Sequence, residues 1–329
     1  MIAFGPKMEH TLKRNISLDL LKLAMAFMVV GLHARFLSEI SKFAEFLFVN
    51  GIFRIAVPIF FIINGFYFYS ILIKKKELEW FKKVGILYLV WMTFYSYFWF
   101  NLPGMSTSEI FDLVAKFLIG YQHLWYVSGM IGAALIILLI NKLNTSFIIT
   151  SVLVTFLIGV FIQYAGNYHL FQGSDLDIAF NETWVHRNFL FFAFPFFTIG
   201  FLINKYSFYN VISKKVNLIG LLTGGAMLTL ESSINYYQPF RDGAFDNYLS
   251  LIFLCPLIFI YFQKNYISGA TKQISLYASG IYFIHSFILT MLKTFLEYKG
   301  VTLTILGIII SALASIFIIK INRRVKVIL

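Results

Sequence analysis

The chain has 329 residues, of which 59% are hydrophobic and 13% charged, and its mean hydropathy is +0.79. Soluble domains carry about 25% charged residues, so the composition excludes an ordinary soluble domain and specifies a polytopic membrane protein. The net charge of +12 invites an anionic or nucleic-acid partner, but its placement along the chain answers to topology, and the lone Cys255 excludes a disulfide framework or thiolate metal site.

Apolar windows of about 20 residues predict ten transmembrane helices, at about 16–36, 47–70, 84–101, 124–140, 146–164, 188–204, 216–232, 248–263, 274–293 and 302–320. The fold class is therefore all-α: a polytopic helical membrane protein, read as a single integral-membrane domain over 1–329. The first span is too long and too charged for a cleaved signal peptide. The stretches at about 101–123, 165–187 and 233–247 read as short caps too small for a core of their own. No internal repeat of the kind seen in many secondary transporters is evident.

In the first span the run Ile16 to His33 is nearly all apolar, yet it holds Asp19, Lys22 and His33. A central Asp or Lys costs about 2.5–3.5 kcal/mol to insert, so such groups persist when paired or working. Lys22 and His33 share one helix face, about 16–17 Å apart along the axis. Asp19 precedes Lys22 by one turn and can pair with it.

In the second span Arg54, Pro58, Phe61 and Gly65 recur on one face. Pro58 frees a backbone carbonyl, and Gly65 admits a close neighbour. Arg54 either holds an acidic sugar or lipid pyrophosphate or snorkels to the surface. Asn64 either stabilises an oxyanion or bonds across helices. Lys82 and Lys83 open the third span as topology charges or as an anion site. His123, Trp125 and Tyr126 begin the fourth at an interface, as an aromatic belt or a platform for a sugar ring. Glu231 closes the seventh span as a candidate acceptor ligand. His285, with Tyr282 one turn earlier, serves either an interhelical hydrogen bond or the site. No i,i+4 His/Glu pair or carboxylate cluster accompanies the histidines, so no metal is expected. There is no P-loop, GxSxG or dinucleotide fingerprint.

Most Lys and Arg residues fall on one side of these spans. They include Lys7, Lys13 and Arg14, the run Lys74–Lys76 with Lys82 and Lys83, and Lys320, Arg323, Arg324 and Lys326. The other side has only Arg35, Lys42, Arg54, Lys116, Arg187, Arg241, Lys293 and Lys299. The positive-inside rule then places both termini in the cytoplasm.

Several segments resemble, in order, the acyltransferase family 3 membrane proteins. Asp19-Leu-Leu-Lys22 with His33 resembles that family's opening span, a basic residue followed after ten others by His. Ala56-Val-Pro58-Ile-Phe60-Phe61-Ile-Ile-Asn64-Gly65 resembles its second-span motif, and Trp80-Phe-Lys82-Lys83 its basic loop. His123-Leu-Trp125-Tyr126, Phe194-Pro195-Phe-Phe-Thr-Ile-Gly200 and Gly280-Ile-Tyr282-Phe-Ile-His285 resemble its fourth, sixth and ninth spans. One departure is Lys22, where the family usually has Arg, so a point charge carries over but a bidentate fork does not.

The resemblance implies acyl transfer, usually of acetyl from acetyl-CoA, to a hydroxyl of a surface polysaccharide or its lipid-linked precursor. His33 is then the base that activates the hydroxyl, or an acyl carrier. Lys22, Asn64, Lys82 and Lys83 are candidates for holding coenzyme A. Arg54, His123, Trp125, Tyr126, Glu231 and His285 are candidates for the acceptor. Lys22 has a second reading as the structural partner of Asp19. The expected setting is a bacterial cytoplasmic membrane. The rivals are a transporter or flippase without acyl chemistry, and a non-catalytic partner in glycan assembly.

Overall fold

The computed structural model describes residues 14–101 and 106–329; Lys7 and Lys13, read above as a basic tail, lie outside the described residues. In chain order the helices are α1 (Ile16–Ala34), α2 (Lys42–Val49), α3 (Ala56–Ile73), α4 (Glu77–Phe94), α5 (Ser96–Trp99), α6 (Thr107–Ile119), α7 (Trp125–Ile140) and α8 (Thr145–Asn167). There follow α9 (Asp175–Asn181), α10 (Thr183–His186), α11 (Phe194–Lys205), α12 (Phe208–Val211), α13 (Lys214–Tyr236), α14 (Leu251–Lys264), α15 (Gln273–Leu296) and α16 (Gly300–Val325). Two residues on each side, β1 (Arg14–Asn15) and β2 (Ser268–Gly269), pair antiparallel and tie the start of α1 to the start of α15.

This is an all-α, multi-pass membrane protein. Every expected span overlaps a helix. By length and composition six stretches are long and apolar enough to cross a membrane: Ile16–Ala34, Lys42–Ile73, Gln122–Ile140, Thr145–Asn167, Gln273–Leu296 and Gly300–Val325. Phe189–Lys205 and Leu251–Lys264 are apolar but shorter. The expected third span is displaced: α4 starts at Glu77 and takes Lys82 and Lys83 into the helix, where both point to the exposed surface. The expected second span is broken at Asn50-Gly51, with a 3-10 turn over Ile52–Ile55 before α3.

Side-chain oxygens start many of these helices. Asn15, Ser41, Ser106, Asn144 and Ser213 each accept from a backbone N–H in the first turn that follows, filling donors the helix cannot fill itself. Asn188 caps the π-helical turn over Phe189–Ala193 in the same way, through Leu190 and Phe191 N–H. Pro58 falls in the first turn of α3, where N–H groups lack intrahelical partners anyway, so the freed carbonyl expected there is not needed. The close neighbour expected at Gly65 is the backbone of α11 at Phe197, and Gly200 of α11 meets the backbone of α3 at Ile62. Packing through small residues lets two backbones touch where lipid offers no hydrophobic drive.

The segment between α13 and α14 is not a surface cap. Phe245, Asn247 and Tyr248 are fully buried in the bundle. Gln163 of α8 holds them, its Oε1 accepting from Asp246 N–H (2.6 Å) and Asn247 N–H (2.8 Å).

Candidate active site

Three recesses follow one another through the bundle. The first, of about 1020 Å³, opens at the lysine-rich end, where Arg14, Lys22, Tyr67, Gln263 and Lys272 line it. Lys22 also lines the second, of about 140 Å³, together with Asn64, Tyr126 and Tyr282. Tyr282 also lines the third, of about 360 Å³, with His33, Arg54, His123, Trp125 and Arg187. Lys22 and Tyr282 therefore each stand between two compartments, and His33 lines the one that shares no residue with the recess of Lys272.

Three imidazoles gather there. The rings of His33 and His285 lie 5.2 Å apart, and those of His285 and His123 4.8 Å apart. His285 Nδ1 lies 2.6 Å from the Tyr282 carbonyl and His123 Nε2 3.2 Å from the Phe283 carbonyl. A carbonyl only accepts, so each of these nitrogens carries the hydrogen, and in the neutral ring the opposite nitrogen keeps its lone pair. Those opposite nitrogens, His285 Nε2 and His123 Nδ1, are buried with no hydrogen-bond partner among the described residues. His33 is half-buried on the cavity wall, and its carbonyl accepts from Lys293 Nζ at 2.9 Å. One accessible base thus stands against two buried ones.

A charged clamp forms the far wall. Asp246 accepts from Arg54 Nη1 and, at 3.2 Å, from Arg187 Nη1. Arg54 is buried, and its other donors go to Val49 O (2.9 Å) and Asn50 Oδ1 (2.8 Å). Arg187 is half-buried and lies over the Trp125 ring at 5.1 Å. Burial alone would raise the Asp246 carboxyl, but Arg54, Arg187 and His186 outweigh it and hold it below the usual carboxylate range. Burial pushes His186 down to about 4 despite the neighbouring Asp246.

These contacts correct one expectation and choose between the alternatives left open by others. Asp19 pairs not with Lys22 but with Arg14, which reaches it through Nε and through Nη2 (2.7 Å); a planar fork preceding the helix satisfies both carboxylate oxygens, which a lysine one turn on cannot. Lys22 instead lies 3.5 Å from Ser275 Oγ and 5.5 Å from the Tyr67 ring centre. Arg54 does not snorkel; it is locked to Asp246. The Asn64 amide donates to Phe60 O (2.8 Å) and to the Tyr126 hydroxyl (2.5 Å), so it bonds across helices. His123, Trp125 and Tyr126 form no surface belt, since all three are buried inside the bundle.

Glu231 faces none of the three recesses. Its Oε1 accepts from Tyr164 O–H and Leu249 N–H, and its Oε2 from Ser250 N–H and O–H, all at 2.7–2.9 Å. It is a fastener at the start of α14, where the helix dipole favours an anion. Lys82 and Lys83 are exposed and line none of these recesses. Sequence reasoning missed Arg187, Asp246, Lys293 and Lys272 as site residues. The only signal for the first three was their charge on a side poor in cations. Among the described residues no group of three or more His, Cys, Asp or Glu is placed to hold a metal ion.

A family model described as an acyltransferase domain, that of acyltransferase family 3, matches residues 15–320, and the chain belongs to this family. The chain is also similar to an amino-acid racemase of Enterococcus faecalis, 29% identical over 234 residues, which are 65% of this chain and 32% of that protein. A serine/alanine racemase of Enterococcus gallinarum is 26% identical over 249 residues, 65% of this chain and 33% of that one. The matched region thus spans about a third of the length of these relatives. No solved structure matches the chain.

Proposed function

We propose that this acyltransferase moves acetyl from cytoplasmic acetyl-CoA to a hydroxyl of a cell-surface polysaccharide or its lipid-linked precursor. The setting is a bacterial cytoplasmic membrane, crossed ten times with both termini inside. The observation that carries the reading is the row of recesses that begins at Arg14 and Lys272, narrows at Lys22 and Tyr282 and ends on His33.

The donor enters at the lysine-rich end. Lys272 at the mouth and Lys22 at the first threshold attract its phosphates, as cations with no carboxylate within 4 Å among the described residues. Its pantetheine arm carries the thioester past Asn64 and Tyr126. The Tyr126 hydroxyl accepts from Asn64, which leaves its own hydrogen for the thioester oxygen as negative charge builds there. The acceptor hydroxyl arrives from the other end and gives its proton to His33. Its oxygen attacks the thioester carbon, the C–S bond breaks, and coenzyme A leaves as the thiol after taking that proton from the imidazolium. His285 and His123, each with a fixed tautomer, back the His33 ring.

The test supplies membranes containing wild type or His33→Ala with acetyl-labelled acetyl-CoA. Wild type should pass label into an extractable glycan, and a well-inserted His33→Ala should not. Label retained on the protein when acceptor is withheld would mark an acyl-imidazole intermediate. Full activity in His33→Ala would overturn the mechanism.

The names of the racemase relatives favour a second reading, in which the same row of recesses passes an amino acid across the membrane without acyl chemistry. Uptake into vesicles, with no binding of coenzyme A, would select it.

A further inference from the structure

At the His33 end of the bundle the outer recess continues sideways. It shares Lys293 with a recess of about 390 Å³ that Arg35, Tyr298 and Lys299 also line. That one shares Arg35, Ser38 and Lys299 with a third, of about 640 Å³, lined by Lys42, Phe46, Tyr236 and Arg241. The three recesses share wall residues and so lie side by side, a broken trough from the rim to His33.

Its charge is uneven in an informative way. Of the Lys and Arg residues assigned to this side, only Lys116 stands outside the trough; Arg54 and Arg187 line its inner end and the others its length. Of its acids, Glu297 lines the wall exposed and without a cation within 4 Å among the described residues, and the other three are occupied. Asp246 holds Arg54 and Arg187, Glu45 accepts from Arg35 at 2.7 Å, and Glu39 accepts from Val301 N–H at 2.9 Å, at the start of α16. Lys42, Arg241, Lys293 and Lys299 have no carboxylate within 4 Å among the described residues. Arg241 instead sits against the Phe46 and Tyr236 rings, its guanidinium carbon 4.3 and 5.3 Å from their centres.

Translocated sides are poor in Lys and Arg. A chain that has few there and sets nearly all around one recess has a use for them together. A neutral hydroxyl acceptor needs none of them; a repeating anion needs several in a row, with aromatic faces between them for its sugar or polyol units. We infer that the acceptor is a polyanion, a glycan or polyol chain bearing a phosphodiester or carboxylate at regular intervals, laid along this trough with the hydroxyl to be acylated beside His33. This rests on the acyl-transfer reading and names its acceptor class.

The test uses the full-length protein in detergent and three fluorescent probes: poly(glycerol phosphate), polygalacturonate and neutral dextran. A polyanion should bind and dextran should not, with affinity falling as salt rises. Whichever polyanion binds tighter identifies the anion. Lys42→Gln combined with Lys299→Gln should weaken that binding about tenfold or more, the equivalent of about 1.4 kcal/mol. Lys116→Gln should leave it unchanged, and both should keep coenzyme A binding at the opposite end. Dextran binding as well as the polyanions, or Lys42→Gln/Lys299→Gln binding as wild type while labelled acetyl is still transferred, would overturn the inference and leave acyl transfer standing. Charge-dependent polyanion binding without coenzyme A binding would support the trough and sink the acyl-transfer reading.

Discussion

Removing the charge of Asp246 should be among the most damaging isosteric changes in the protein. The carboxylate is 7% exposed and serves two guanidinium groups from different parts of the chain. At 3.2 Å and an effective dielectric near 20, the attraction of one such pair is about 5 kcal/mol before desolvation is counted. Most of that repays the burial of the charges, yet breaking a buried pair from one side typically costs about 3–5 kcal/mol, because a cation is left behind without its counter-ion. Asp246→Asn keeps the shape and one acceptor oxygen but leaves Arg54 buried without its counter-ion, among neutral partners such as Val49 O and Asn50 Oδ1. The expected loss is about 3–5 kcal/mol, read by reversible unfolding in SDS–detergent mixtures, with Trp fluorescence as signal. Trp125, under Arg187, is well placed to report it.

The reasoning has a sharper consequence in a double-mutant cycle. If the damage comes from an orphaned cation, removing that cation must undo part of it. Arg54→Met in the Asp246→Asn background should therefore recover about 1–3 kcal/mol, a coupling of the size found for residues in direct contact. Strictly additive losses, or an Asp246→Asn protein within about 0.5 kcal/mol of wild type, would refute the clamp as the anchor of this wall.

The same wall should make the protein acid-sensitive. His186 is buried neutral with its pKa pushed down to about 4 from an ordinary 6.5, so between those values the unfolded chain binds more protons. Stability is then fully present above about pH 6.5 and is lost as pH falls toward 4, by at most about 3 kcal/mol; Asp246, also held below its ordinary value, acts in the same direction at still lower pH. Unfolding midpoints from pH 8 to 4 should show the decline, and a His186→Gln protein should lack its upper part. Gly200→Ala places a methyl 2.7 Å from the Ile62 carbonyl carbon, backbone that cannot swing aside, and should cost about 1–3 kcal/mol or more. Gly85→Ala meets nothing within 4 Å on α4 and should be neutral or stabilising by about 0.5–1 kcal/mol. Thermal unfolding of the two variants side by side decides whether α3 and α11 touch as described. With acetyl-CoA as the proposed donor, Lys22→Met should raise its KM about tenfold, the loss of one partly desolvated charge contact, whereas Lys82→Ala with Lys83→Ala should stay within about twofold; steady-state kinetics on reconstituted protein would expose the reverse order.

What the sequence revealed and what it hid follow from the range of the forces involved. Apolar segments were legible because hydrocarbon demands about 20 residues of one character in a row, and a helix overlies each. Their ends were less legible. α4 reaches back to Glu77 because an exposed helix end tolerates Lys82 and Lys83, and the second segment breaks at Asn50-Gly51 for local backbone reasons that a hydropathy window averages away. Charge partners were mostly illegible. Arg54 finds Asp246, 192 positions on, and Glu231 finds the start of α14. Even the short-range choice of Asp19 went to Arg14, outside the helix, rather than to a neighbour on its own face. His33 and Lys22 stood out because each lies in an apolar run. Arg187 and Asp246 were hidden because each lies in a polar one, where a charge signals nothing until the segment is seen to fold inward.

That difference also separates architecture from site. A charged or polar group inside a bilayer is retained when its donors and acceptors are filled or when something will fill them. Asp19 is filled by the fork of Arg14, and Arg54, Asp246 and Glu231 each by several protein groups; they hold β1, the outer wall and α14 in place. His285 Nε2 and His123 Nδ1 are buried without a partner among the described residues, and Lys22 has one long hydrogen bond and the face of a tyrosine. Lys22 and His123 stand on cavity walls, and the His285 ring lies tilted against that of His33 at the end of the row. Leaving such groups unfilled costs about 1–3 kcal/mol each; His186, Thr198 and Ser311 bear the same cost off the row, so it is the grouping around the recesses that singles these out. The row that runs from Lys22 to the three imidazoles is therefore where the proposed donor and acceptor would complete the protein's own hydrogen bonding.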